Sequence, residues 1–93
     1  MKPMAIGLKP QLSWRKLDRR IVVLDPAGGN HYLFNELGGK VWMGMVQGRP
    51  MEHTIRAIMR EYAVSRDRAE RDVEAFLAGL EAERIIVREK EGE

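Results

Sequence analysis

The sequence contains no cysteine. That absence excludes disulfides, thiolate metal sites and cysteine nucleophiles, and it fits a reducing cytoplasm. Hydroxyl nucleophiles are scarce as well: Ser13 and Ser65 are the only serines and Thr54 the only threonine, beside two histidines, His31 and His53. No apolar run approaches the ~20 residues that a membrane helix needs. The start, Met1-Lys2-Pro3-Met4-Ala5-Ile6-Gly7, has one charge and no sustained apolar stretch, so no signal peptide is expected. Repeats and low-complexity segments are missing too.

What is present is the composition of an ordinary globular domain: 93 residues, 44% apolar and 32% charged. The net charge of +2 is small but unevenly placed. Up to Leu24, Lys2, Lys9, Arg15, Lys16, Arg19 and Arg20 stand against Asp18 alone. Over residues 66–84, Arg66, Arg68, Arg71 and Arg84 face six carboxylates. The positive field therefore belongs to the first strands and not to the last helix.

Residues 1–11 carry two prolines and a glycine and no period, which predicts a flexible arm. Residues 12–17 alternate, with Leu12 and Trp14 on one face and Ser13 and Arg15 on the other, so a first strand is expected. Ile21-Val22-Val23-Leu24 is β-branched and apolar on both faces, as a central strand is. Asp25-Pro26-Ala27-Gly28-Gly29-Asn30 is a turn, and His31-Tyr32-Leu33-Phe34 returns as a third strand. Asn35 can cap a helix that runs through Gln47, with Leu37, Val41, Trp42 and Met45 at helical spacing. Gly38 and Gly39 weaken that helix, and close approach of another backbone is the expected reason for them. Gly48-Arg49-Pro50 stops it. A second helix from about Met51 to Tyr62 buries Met51, Ile55, Ile58, Met59 and Tyr62. Ser65 caps a third, with Ala69, Val73, Phe76, Leu77 and Leu80 inward and its end near Glu83. Ile85-Ile86-Val87 reads as a short strand, and residues 88–93 as a charged tail. The predicted fold class is α+β: a winged helix-turn-helix-like domain over residues 12–87, with an N-terminal three-stranded antiparallel sheet, three helices and a short C-terminal strand.

Chemistry has little to work with here. Nucleophilic catalysis needs a nucleophile, a base and an orienting group brought together. Ser65 is taken by its capping role, and Ser13 sits between Leu12 and Trp14 with no evident base. The two histidines fall in separate elements, and no carboxylate spacing accompanies them, so no metal or other cofactor is expected. Gly28-Gly29 lies in a hairpin turn and does not open a helix, so it is not a phosphate loop. A winged-helix domain invites a DNA-binding reading, kept as the alternative. The acidic balance of the third helix argues against it, because phosphate contacts supply most non-specific affinity.

Peptide binding fits the pattern better. The third strand is the edge of a meander, with Leu33 on one face and Tyr32 and Phe34 on the other. An apolar edge is a liability unless something covers it, and an extended peptide can do so by adding a strand. At 100° per residue, Arg68, Asp72, Ala75 and Gly79 line one flank of the third helix and Glu70, Glu74 and Glu81 the other. The first flank, with two small residues, is the expected second wall. Arg15, Lys16, Arg19 and Arg20 would steer an acidic peptide toward the edge. The plain reading of Arg68 and Asp72 is a solvated pair. The same edge permits pairing of two copies, hence a monomer or weak dimer.

Tyr32-Leu33-Phe34-Asn35, Val41-Trp42, Gln47-Gly48, Ile55 with Ile58, Tyr62, Asp72-Val73, Phe76-Leu77, Leu80 and Ile85-Ile86 resemble the PqqD family over roughly residues 12–87. The resemblance implies a non-catalytic, stand-alone RiPP recognition element, a peptide chaperone. Such a protein binds the leader of a ribosomally made precursor as an added strand. It presents the precursor to a modifying enzyme, often a radical S-adenosylmethionine protein, as in pyrroloquinoline quinone biosynthesis or in a lasso or other peptide route. The implied binding site is His31, Tyr32, Leu33 and Phe34, with Arg68, Asp72, Ala75 and Gly79 opposite. Gly38-Gly39 and the Glu83-Arg84 pair, where a glycine commonly closes the third helix, depart from the family pattern. The Asp25-Pro26 turn also lacks the longer signature of the pyrroloquinoline quinone member.

Overall fold

A computed structural model of the chain describes residues 4–90. In chain order the elements are β1 (Met4–Leu8), β2 (Ser13–Leu17), β3 (Arg20–Asp25), β4 (Asn30–Phe34), α1 (Glu36–Val46), α2 (Met51–Tyr62), α3 (Arg66–Ala82) and β5 (Ile86–Lys90). The fold class is the expected α+β arrangement of antiparallel strands, three helices and a C-terminal strand.

The meander forms with β3 in the middle, in the order β2-β3-β4. Its register pairs Val22 with Leu33 and Arg15, and Ile21 with Phe34 and Lys16. Strand alternation then sorts the side chains. Ile21, Val23 and Phe34 turn inward and are buried, whereas Leu17, Leu24 and Leu33 lie exposed on the outer face. The inner face rests on α1, whose Val41 and Trp42 complete a core with Ile55 and Ile58 of α2 and Val73, Leu77 and Leu80 of α3.

Caps follow the sequence. The Asn35 side chain accepts from the Gly38 N–H at 2.9 Å, and Ser65 Oγ accepts from the Arg68 N–H at 3.1 Å. The glycine pair of α1 does admit close neighbours, but mostly side chains. A Cβ on Gly38 would stand 2.7 Å from the Phe76 ring, and one on Gly39 would stand 3.1 Å from Ile21, with the Arg19 carbonyl at 3.6 Å. At the end of α3, Arg84 adopts φ +63°, the left-handed conformation that glycine takes at least cost.

Both chain ends differ from expectation. Residues 4–8 are not a loose arm, and the charged run from Arg88 is not a tail as far as Lys90. β1 and β5 pair antiparallel, Leu8 opposite Ile86 and Met4 opposite Lys90. Residues 4–8 have no period strong enough to announce a strand, and Ile85-Ile86-Val87 announced only the start of β5; each strand is completed because the other supplies its ladder. Buried Ile85 and Ile86 and the guanidinium of Arg88 anchor the ribbon to α3. Arg88 donates to Glu74 and Glu81 at 2.9 Å each. Residues 1–3 and 91–93 of the expected arm and tail lie outside the described residues.

Candidate peptide-binding edge

β4 is an edge strand. β3 pairs with one side of it, and among the described residues no strand pairs with the other. β1 is engaged with β5 and does not join β4. The outer row of backbone donors and acceptors on β4 is therefore open to a guest strand.

Its side chains divide by alternation. His31 and Leu33 point outward, Leu33 at 56% exposure. Tyr32 is half-buried, and Phe34 belongs to the core. Of the four expected contact residues, Phe34 thus offers a floor and not an exposed surface. Its ring stands edge-on to Phe76 of α3, centroids 4.9 Å apart, and tilted against Trp42 at 5.6 Å.

Two contacts bring α3 alongside β4. One is the Phe34–Phe76 pair. The other is the Tyr32 hydroxyl, which donates to Glu83 Oε1 at 3.3 Å. Burial first, and then that carboxylate, push the Tyr32 phenol above its usual range. Phe76 and Glu83 are seven residues apart, so they share a face. At 100° per residue, Asp72, Gly79 and Arg68 follow on the same side, progressively farther from the core. Asp72 is half-buried, and Arg68 and Gly79 are exposed. Nothing lies within 4 Å of a Cβ placed on Gly79. Ala75 sits farther round and borders an outer surface with Asp67, Arg71 and Glu74. The opposite flank of α3 is occupied, because Arg88 of β5 holds Glu74 and Glu81.

Arg68 and Asp72 form the i, i+4 pair, Nε to Oδ2 at 3.2 Å, with Arg68 61% exposed. Such a pair contributes a few tenths of a kcal/mol and remains free to re-pair with a ligand. Arg66 is committed elsewhere, to Glu52 and Glu70, which locks the start of α3 to the start of α2. With Arg56 also beside it, Glu52 is held down to about 2. The basic strand residues do not all face the β4 edge. Arg15 and Arg20 share the outer sheet face with Leu33, whereas Lys16 and Arg19 turn toward α1 and α2.

One structural pair was invisible in the sequence. Lys9 Nζ lies 2.7 Å from Asp25 Oδ2, and Asp25 is only 3% exposed. The lysine, with help from the Gly28 N–H at 3.2 Å, holds the Asp25 carboxyl below its ordinary range. The pair ties the segment after β1 to the turn that begins β4. Among the described residues there is no cluster of histidines and carboxylates able to hold a metal ion, and no helix long and apolar enough to cross a membrane.

Comparison with known proteins agrees with this geometry. The model of a family described as coenzyme PQQ synthesis protein D (PqqD) matches residues 20–86. The chain belongs to the PqqD family. Proteins of this family are non-catalytic and bind peptides. The matched residues begin at β3 and end at β5, so they include β4 and all of α3. Among solved structures, TbiB1 in complex with the TbiA(beta) leader peptide is 26% identical, with a TM-score of 0.78 over 92% of this chain and 94% of that one. Lasso peptide synthetase B1 complexed with its leader peptide is 24% identical, with a TM-score of 0.79 over 88% and 96%. The second likeness bears on the fold alone. No curated protein matches the chain.

Proposed function

We propose that this PqqD-family chain binds the leader of a ribosomally made precursor peptide as a fourth strand on β4, with α3 as the second wall. The observation that carries the reading is the open edge of β4 beside a flank of α3 that its own β5 ribbon leaves uncovered. Main-chain hydrogen bonds to residues 30–34 supply affinity. Leu33, Tyr32 and the Phe34–Phe76 floor accept alternate apolar side chains. Arg68 and Asp72 set the register, and the empty space before Gly79 admits the incoming backbone. His31 borders the entry, and Ala75 lies at the outer margin. Because an unstructured leader loses conformational entropy on docking, micromolar or somewhat tighter binding is expected.

The chain then presents the precursor to a modifying enzyme. The family description favours a radical S-adenosylmethionine partner of the pyrroloquinoline quinone type, and an enzyme of a lasso-peptide route is the other candidate. Co-purification of the chain with each class of enzyme, with and without the precursor, separates the two. A DNA-reading role has less support, since Arg66 and Arg68 of α3 are already paired with carboxylates.

The test is a titration of ¹⁵N-labelled protein with synthetic leader peptides of candidate precursors. Shifts are expected at residues 30–34 and at Arg68, Asp72 and Gly79. Gly79→Trp should weaken binding at least about tenfold, roughly 1.4 kcal/mol, while the unfolding midpoint stays near wild type. Shifts confined to α2 and β5 would remove the proposal.

A further inference from the structure

At the opposite edge of the sheet, the β2–β3 turn, α1 and α2 enclose a trough of about 440 Å³. Ile21, Gly39, Gly44 and Ala57 line its floor. Gly39 and Gly44 let Ile21 and Thr54 close against α1, which fixes the distance between the walls. The walls carry a surplus of positive charge: Lys16, Arg19, Lys40, Arg49 and Arg60 against Asp18, Glu36 and Glu61. Lys40 is paired with Glu61 at 2.8 Å, and Arg19 lies 3.8 Å from Glu36. Lys16, Arg49 and Arg60 are exposed and, among the described residues, meet no carboxylate. None of these three belongs to the β4 site.

Unneutralised cations around an apolar floor make a concave positive field. β2 beside it is the second edge strand of the sheet, and its outer side has no ladder partner among the described residues. An extended polypeptide rich in carboxylates satisfies all three features: charge, apolar floor and open ladder. Duplex nucleic acid fits less well, because it has no extended peptide backbone to pair with the open β2 ladder.

We propose that this trough is a second docking site, which takes an acidic, extended segment of the protein that receives the precursor. That partner's identity rests on the leader-binding reading; the acidic chemistry rests on the trough alone. β2 and β4 are separated by two strand spacings, about 10 Å, and face away from each other in the sheet plane. Both edges can therefore be occupied together. The leader is held on one side and the receiving protein on the other, so neither has to displace its partner.

The experiment titrates the ¹⁵N-labelled chain with a deca-glutamate peptide at low salt, with no leader present. Shifts are expected at Lys16, Arg49 and Arg60 and not at residues 30–34. The double variant Lys16→Glu/Arg60→Glu should bind on the order of tenfold more weakly with an unchanged far-ultraviolet spectrum, and Lys16→Arg/Arg60→Lys should bind as wild type. Equal binding of a deca-glutamine peptide would overturn the proposal, as would no binding at low salt or tighter binding of random duplex DNA at the same residues. Shifts centred on β4 and Arg68 would also overturn it, while leaving the leader site intact. Because no leader is used, failure here does not touch that reading.

Discussion

Alanine at position 38 sets helix propensity against packing, and the geometry says which wins. Gly38 lies in the first turn of α1, where the gain from alanine is at most about 1 kcal/mol. Its new Cβ would sit 2.7 Å from the Phe76 ring and 3.3 Å from Phe34 Cβ. Carbon atoms settle at about 3.5–4.0 Å, so the Phe76 ring must retreat by roughly 1 Å. Retreat breaks its edge contact with Phe34, worth about 0.5–1.5 kcal/mol, and adds overpacking of about 1–3 kcal/mol. The expected net effect of Gly38→Ala is a loss of about 0.5–3.5 kcal/mol. Each 1 kcal/mol lowers the melting temperature by about 4–8 °C in a domain of this size. Gly79→Ala is the internal control. Nothing lies within 4 Å of its Cβ, so the propensity gain stands alone and the domain is stabilised by up to about 1 kcal/mol. Urea unfolding read through the fluorescence of buried Trp42 measures both. If Gly38→Ala raises the midpoint as Gly79→Ala does, the Phe34–Phe76 floor is not packed as described.

Three further outcomes are expected. Arg84→Gly should stabilise the domain by about 1 kcal/mol, because Arg84 holds a left-handed conformation at the end of α3; an unchanged urea midpoint would contradict that. Glu52 and Asp25 both have lowered pKa values, so their contribution is full above their unfolded values and is lost as pH falls, for Glu52 between about 4.5 and about 2. Urea midpoints should therefore drop steeply across that window, and Lys9→Met should lower the midpoint at pH 7 and flatten the Asp25 part of the profile. Arg68→Glu should weaken leader binding several-fold while moving stability by less than about 0.5 kcal/mol, as paired calorimetry and urea titration would show.

The site was legible where local pattern governs it. Asp25-Pro26 and the glycines after it announced a hairpin, and residues 31–34 followed as an edge strand. The periodicity of α3 separated its core stripe from two flanks. Phe76 and Glu83, which contact Phe34 and Tyr32 of the candidate edge, were not singled out from the sequence, although their seven-residue spacing put them on one helix face. Phe76 read as core because apolar periodicity does not say which neighbour a stripe meets. Burial of Phe34 beside exposure of Leu33 follows from alternation, but only once β3 and α1 fix which face is inward.

By itself, the chain's order of residues determined the helices, their caps, the meander and the absence of thiol chemistry, because each depends on spacing and side-chain type within a few positions. The three-dimensional arrangement decided the rest. The pairing of β1 with β5, the Lys9–Asp25 contact and the hold of Arg88 on Glu74 and Glu81 join residues far apart in the chain. Their stabilising free energy exists only after the core has brought both partners together, so no local window contains it.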